Sequence, residues 1–182
     1  MTNFTAYNVL NMGKLQLIEL FRQVQLIERQ AYPEFMQGLQ EPDLQTWFGR
    51  TKAAIKYKVR DIKEALADYC DIDEEDLDNV AVHIFLGNKK NWYLIAIEDE
   101  DEVEVADFAC LNTVGRDIFT IMPSLLNLWS GKEITMDARE STSYRLLSRV
   151  CSRYGYEIIE DEEWCWGDET MHEITLHKME VV

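Results

Sequence analysis

Asp107 lies in "VADFA", a carboxylate between apolar neighbours within the alternating segment "VEVADFACL". A carboxylate in such surroundings is partly desolvated, which raises its pKa toward values useful for accepting a proton. Glu102 and Glu104 lie on or beside the same segment, so it offers a choice of bases. For each of them the competing use is an edge-strand charge that faces water.

The second chemical grouping is "MDARESTSYRLLSRVCSRYGYEII", Met136 to Ile159. Arg145, Arg149 and Arg153 recur every four residues and form one ridge of a helix, with Arg139 just before it. Such a ridge can meet phosphates, or it can pair with the acidic runs of the chain as a solvated face. Tyr144, Leu147, Cys151 and Tyr154 fall on the opposite, core-facing side. Cys151 has no histidine near it in sequence to activate it as a nucleophile.

Other chemistries find no residues. His83, His172 and His177 have no metal-ligand spacing, and the last two differ by five on a strand, so they point to opposite faces. A GxSxG, a P-loop and a GxGxxG are absent. "WCW" (164–166) sets two tryptophans on one face, which suits packing, an acceptor pocket or a homodimer contact.

The net charge is −16, and it is unevenly spread. Residues 1–60 hold 8 Lys+Arg against 5 Asp+Glu; residues 61–182 hold 10 against 29. The runs "DIDEEDLD", "EDEDEVE" and "EIIEDEE" carry most of the excess. That field repels a phosphate backbone and favours cationic partners, so no direct nucleic acid is expected. Alternatively, the runs are solvated surface. No apolar run is long enough for a membrane helix, no secretory signal opens the chain, and the four cysteines form no CxxC pair. A cytoplasmic protein of one domain, 1–182, with free thiols and no membrane contact is expected.

These residues must be placed by a regular frame. Leu17, Phe21, Val24 and Ile27 predict a helix over about 13–31, after a short strand at about 4–10. Asp43 can cap a turn around "LQTWF", and a second long helix is expected from Thr51 to Tyr69. "NVAVHIFLG" and "NWYLIAIED" flank a hairpin turn, and "VEVADFACL" follows as the next strand. "RDIFTIMPSLLNLW" reads as a helix with Pro123 in its first turn or at a kink. "EITMDAR" is a strand, Ser141 starts the next helix, Gly155 ends it, and a final hairpin closes the chain. The order predicts an α+β fold with a mixed, mostly antiparallel sheet and helices on both faces.

This order of elements resembles that of the Gcn5-related N-acetyltransferase (GNAT) superfamily over nearly the whole chain. "LIERQAYPEFM" is similar to the family's first-helix ending. "ARESTSYRLLSRVCSRYGYEII" is similar to its fifth strand and the helix that ends in Gly plus an aromatic, and "GDETMHEITLHK" to its closing strand.

The resemblance implies an acetyl-CoA-dependent transfer of an acyl group to an amine. It implies a strand carboxylate as base, Glu104 first and Asp107 second. It implies an acid for the leaving thiolate at Cys151, with Tyr144 or Tyr154 able to substitute. The family's pyrophosphate loop corresponds to "LNTVGRDIFTI", where Val114, Gly115 and Arg116 would meet the cofactor; the second small residue of that loop is absent. Arg145 and Arg149 would flank its phosphates. With the charge, this leads to an N-acyltransferase acting on a small amine or basic peptide. The alternative is a non-catalytic acidic protein of the same fold that engages a basic protein partner, in the manner of a nucleic-acid mimic.

Overall fold

The computed structural model describes residues 4–31, 47–56, 58, 60, 72, 79–111 and 118–179. Its strands form one seven-stranded sheet in the order β1-β2-β3-β4-β5-β7-β6. They are β1 (Phe4–Asn8), β2 (Ala81–Gly87), β3 (Trp92–Glu98), β4 (Glu102–Cys110), β5 (Glu133–Arg139), β6 (Tyr156–Trp166) and β7 (Glu169–Lys178). β4 and β5 pair in parallel, while β1 with β2, β5 with β7 and β6 with β7 pair antiparallel. The α+β class and the mixed, mostly antiparallel sheet expected from the sequence are therefore present. By contacts the chain divides into two compact units, one built from residues 3–97 and 107–111, the other mainly from 98–106 and 112–182.

In the first unit, α1 (Lys14–Ala31) buries Leu17, Leu20, Phe21, Val24 and Ile27, the stripe that its helical spacing announced. Asn8 ends β1 and caps a short 3-10 turn by accepting from the Leu10 N–H. α2 spans Trp47–Lys56. Asp43 and most of the helix expected from Thr51 to Tyr69 lie outside the described residues. β3 is buried along nearly its whole length, which suits a central strand. Gly87, at the end of β2, lies beneath the Trp92 indole: a Cβ there would stand 2.5 Å from Trp92 Nε1. Phe4 meets Phe85 and Trp92 edge-on and closes that end of the core.

In the second unit, α3 (Ile118–Leu128) and α4 (Arg145–Arg153) pack against each other, and α4 against β6. Ile134, Met136 and Ala138 alternate inward on β5, as do His172, Ile174 and Leu176 on β7. Leu125 and Leu126 on α3, Trp129 just after it, and Leu147, Val150 and Cys151 on α4 are buried. Tyr156 is buried and donates its hydroxyl to the Leu126 carbonyl. Pro123 sits inside α3.

The helix expected to start at Ser141 begins differently. A π-helical turn over Glu140–Tyr144 precedes α4. The Arg139 N–H donates to Ser143 Oγ at 2.8 Å, which takes up a backbone donor left over by the wide turn. Gly155 closes α4 with φ 78°, the left-handed conformation that a helix C-terminus favours.

Candidate active site

Asp107 lies on β4 within the first unit, and the sheet brings two donors to it. Tyr93 Oη, from β3, donates to Asp107 Oδ2 at 3.0 Å, and Trp47 Nε1, from α2, donates to the same oxygen at 3.4 Å. Burial pushes the Asp107 carboxyl above its ordinary range. The Tyr93 hydrogen bond, the Arg50 charge and the Trp47 hydrogen bond pull the other way, and burial wins. The sequence context "VADFA" had predicted this desolvation.

The surrounding groups hold Trp47 in place. Its backbone N–H, at the first residue of α2, donates to both Glu28 carboxylate oxygens at 3.1 Å. This satisfies an end-of-helix donor and sets a negative charge at the positive end of the helix. Thr51 Oγ1 donates to the Trp47 carbonyl one turn on. The Arg50 guanidinium lies 4.5 Å from the Trp47 ring centroid, and the ring packs edge-on against Phe21 and Tyr93. Glu28 and Arg50 are both 6% exposed. The result is a desolvated network of acid, base, phenol and indole centred on one carboxylate.

Sequence reasoning did not single out Glu28, Trp47, Arg50 or Tyr93. One of them left a signal: Glu28 falls on the α1 stripe, four residues after Val24 and seven after Phe21, and a charge at such a position needs a buried partner. Glu104, the first candidate base, is exposed on β4 opposite Thr135 in the parallel ladder.

The second unit holds another cluster. His172 Nδ1 meets Asp161 Oδ1 at 2.8 Å, Tyr144 Oη donates to Asp161 Oδ2, and the Tyr144 and His172 rings stack with centroids 3.8 Å apart. His172 is 5% exposed, and its Nε2 has no hydrogen-bond partner among the described residues. The bond to Asp161 raises the Tyr144 pKa, and the Asp161, Glu163 and Glu140 charges add to it. Tyr144 therefore holds its proton more tightly than an ordinary phenol, a disadvantage for a proton donor. The hydrogen bond from Tyr144, then His172, lowers the Asp161 pKa.

Cys151 is buried in α4, and desolvation pushes its thiol up to about 11. Leu147 is buried beside it, whereas Tyr154, expected on the same stripe, is exposed. Arg145, Arg149 and Arg153 are exposed, and none forms an ion pair among the described residues, so the expected pairing with the acidic runs is not formed there. Val114, Gly115 and Arg116 lie outside the described residues. The structure brings Tyr144 to Asp161 and His172. Among the described residues no group of His, Cys, Asp and Glu could hold a metal ion, and no helix is long and apolar enough to cross a membrane.

No model of a known protein family matches the chain, and no curated protein matches it. Among solved structures it is similar to the ribosomal-protein-S18-alanine N-acetyltransferase of Escherichia coli, with a TM-score of 0.49 and 11% identity over 98% of this chain and 96% of that one. It is similar also to the ribosomal-protein-S5-alanine acetyltransferase of Vibrio fischeri, with a TM-score of 0.45 and 7% identity over 98% and 94% of the two chains. An acetyltransferase of the GNAT family from Streptococcus pneumoniae gives 0.46 and 9% over 96% and 98%.

Proposed function

We propose that this protein is an N-acyltransferase, acetyl-CoA-dependent, that acts on a cationic amine. The observation that carries the reading is Asp107, a strand carboxylate whose proton affinity burial raises and whose Oδ2 accepts from Tyr93 and Trp47. An amine reaches the acyl carbon only after its ammonium has lost a proton, so a base of raised pKa in a GNAT-like fold has a task that suits it. Asp107 takes that proton. Tyr93 and Trp47 fix the orientation of its carboxylate through Oδ2, and Glu28 and Arg50 fix Trp47.

The fit to a polyanionic cofactor rests on Arg145 and Arg149, exposed on one ridge of α4 without carboxylate partners among the described residues. When bound, acetyl-CoA would supply the thioester-activated acyl group. The acceptor is cationic on this reading because the chain carries −16, with the excess in residues 61–182.

The test is calorimetric titration of acetyl-CoA into the protein and into an Arg145→Glu/Arg149→Glu variant, followed by acyl transfer to a panel of amines. Binding weakened by the charge reversal, with turnover that Asp107→Asn removes, is the expected result. Absence of binding at millimolar ligand would end the reading.

A further inference from the structure

Among the described residues, β6 is the outermost strand on the β7 side of the sheet and pairs only with β7. Its other edge presents backbone N–H and C=O groups without strand partners among the described residues, the arrangement that invites another chain to pair. From Tyr156 to Trp166 it carries five carboxylates, Glu157, Glu160, Asp161, Glu162 and Glu163, and no lysine, arginine or histidine. The basic-free stretch extends from Tyr154 to Met171.

The register sorts these side chains by face. Ile159 is the extra residue of a bulge, after which Glu160 stands opposite Thr175 and Glu162 opposite Glu173, while Asp161 and Glu163 stand opposite Ile174 and His172. Glu160, Glu162, Trp164 and Trp166 thus share the solvent face of the sheet. Trp164 and Trp166 are 39% and 56% exposed. The packing that "WCW" suggested is only partly made: Trp164 Nε1 donates to Asp137 Oδ1 at 3.0 Å, and the Arg139 guanidinium lies 5.0 Å from the Trp166 ring centroid. Trp166 therefore already seats one cation.

We infer that β6 is a docking edge for an extended lysine- or arginine-rich peptide segment, which adds to the sheet as a further strand. Main-chain pairing would supply the affinity. The period of two would place alternate basic side chains beside Glu160 and Glu162 on one face and beside Asp161 and Glu163 on the other. The tryptophans give flat faces to those cations or to their aliphatic stems. A second copy of this chain fits the edge poorly, because antiparallel self-pairing would set five carboxylates against five. This inference is independent of acyl transfer.

The test uses the whole protein and a fluorescent peptide of alternating lysine and threonine, without any acyl donor. Its control alternates lysine with proline, which keeps the charge but cannot donate from every residue to a strand edge. The alternating peptide is expected to bind and to change tryptophan emission, and the proline peptide to bind at least about tenfold more weakly. A Glu160→Lys/Glu162→Lys variant, altered only at exposed positions, is expected to lose binding by at least about tenfold. Equal binding of both peptides would mean diffuse charge attraction and would overturn strand addition, as would no binding at low salt. A sedimenting dimer that the double substitution breaks, and that excludes the peptide, would give the edge to a second copy instead. Failure here leaves the transfer reading standing, since no step of that reaction is measured.

Discussion

The Tyr93 hydroxyl donates to Asp107 Oδ2 at 3.0 Å, across two strands of one sheet. That bond opposes burial, since it stabilises the charged carboxylate that desolvation disfavours. It therefore limits how far burial raises the Asp107 pKa.

Tyr93→Phe removes this bond and leaves the ring packing in place. The Asp107 pKa rises further, so the acidic limb of the pH–rate profile is expected to move to higher pH. Trp47→Phe moves it the same way by less, because the Trp47 bond ranks below the Tyr93 bond among the lowering influences. A pH profile of kcat/KM for the two variants checks both; a shift toward lower pH would contradict the assignment.

Asp107→Asn keeps an acceptor for Tyr93 and Trp47 but cannot take a proton. Turnover is expected to fall by about 10²–10⁴, the usual share of a general base. Stability is expected to rise at neutral pH. In the native protein the folded carboxyl holds its proton to higher pH than the unfolded one, so the folded state loses stability as pH rises through that interval. Thermal unfolding at pH 4 and pH 7 shows this as a gain for the variant that is larger at pH 7.

Cys151 is expected to resist alkylation in the native state. Its thiol is buried and pushed up to about 11, whereas Cys165 is exposed on β6. Brief iodoacetamide treatment at pH 8 should label Cys165 and spare Cys151, as peptide mass spectrometry would report. Prompt labelling of Cys151 would mean that α4 opens easily.

Gly87→Ala is expected to cost about 1–3 kcal/mol, because the new methyl would press on the Trp92 indole. Since Trp92 packs edge-on with Phe4, the strain reaches the β1 end of the core. Chemical denaturation followed by tryptophan emission measures the loss.

Much of this was legible in the sequence, for physical reasons that differ by element. The α1 stripe and the strand alternation are local periodicities, so Leu17 to Ile27 and the β5 and β7 inward rows could be placed without a structure. The Asp107 environment was half legible: its apolar neighbours on β4 announced desolvation, but its hydrogen-bond donors come from residues 14 and 60 positions away. No local pattern reports such a contact. The π-turn at Glu140–Tyr144 was not legible either, since Ser141 and Ser143 are both good capping residues and nothing in the sequence announces the Arg139–Ser143 bond. The tryptophans of β6 show the same limit, because their exposure depends on what covers that face of the sheet.

β4 belongs to both compact units: Glu102–Ala106 goes to one and Asp107–Cys110 to the other. The chain thus leaves the first unit at Glu98, serves the second, and returns for five residues before leaving again. No single scission of the polypeptide can deliver the two units as separate pieces. The proposed base falls on the returning stretch, so a fragment ending at Ile97 would keep Trp47 and Tyr93 but lose the carboxylate they bond.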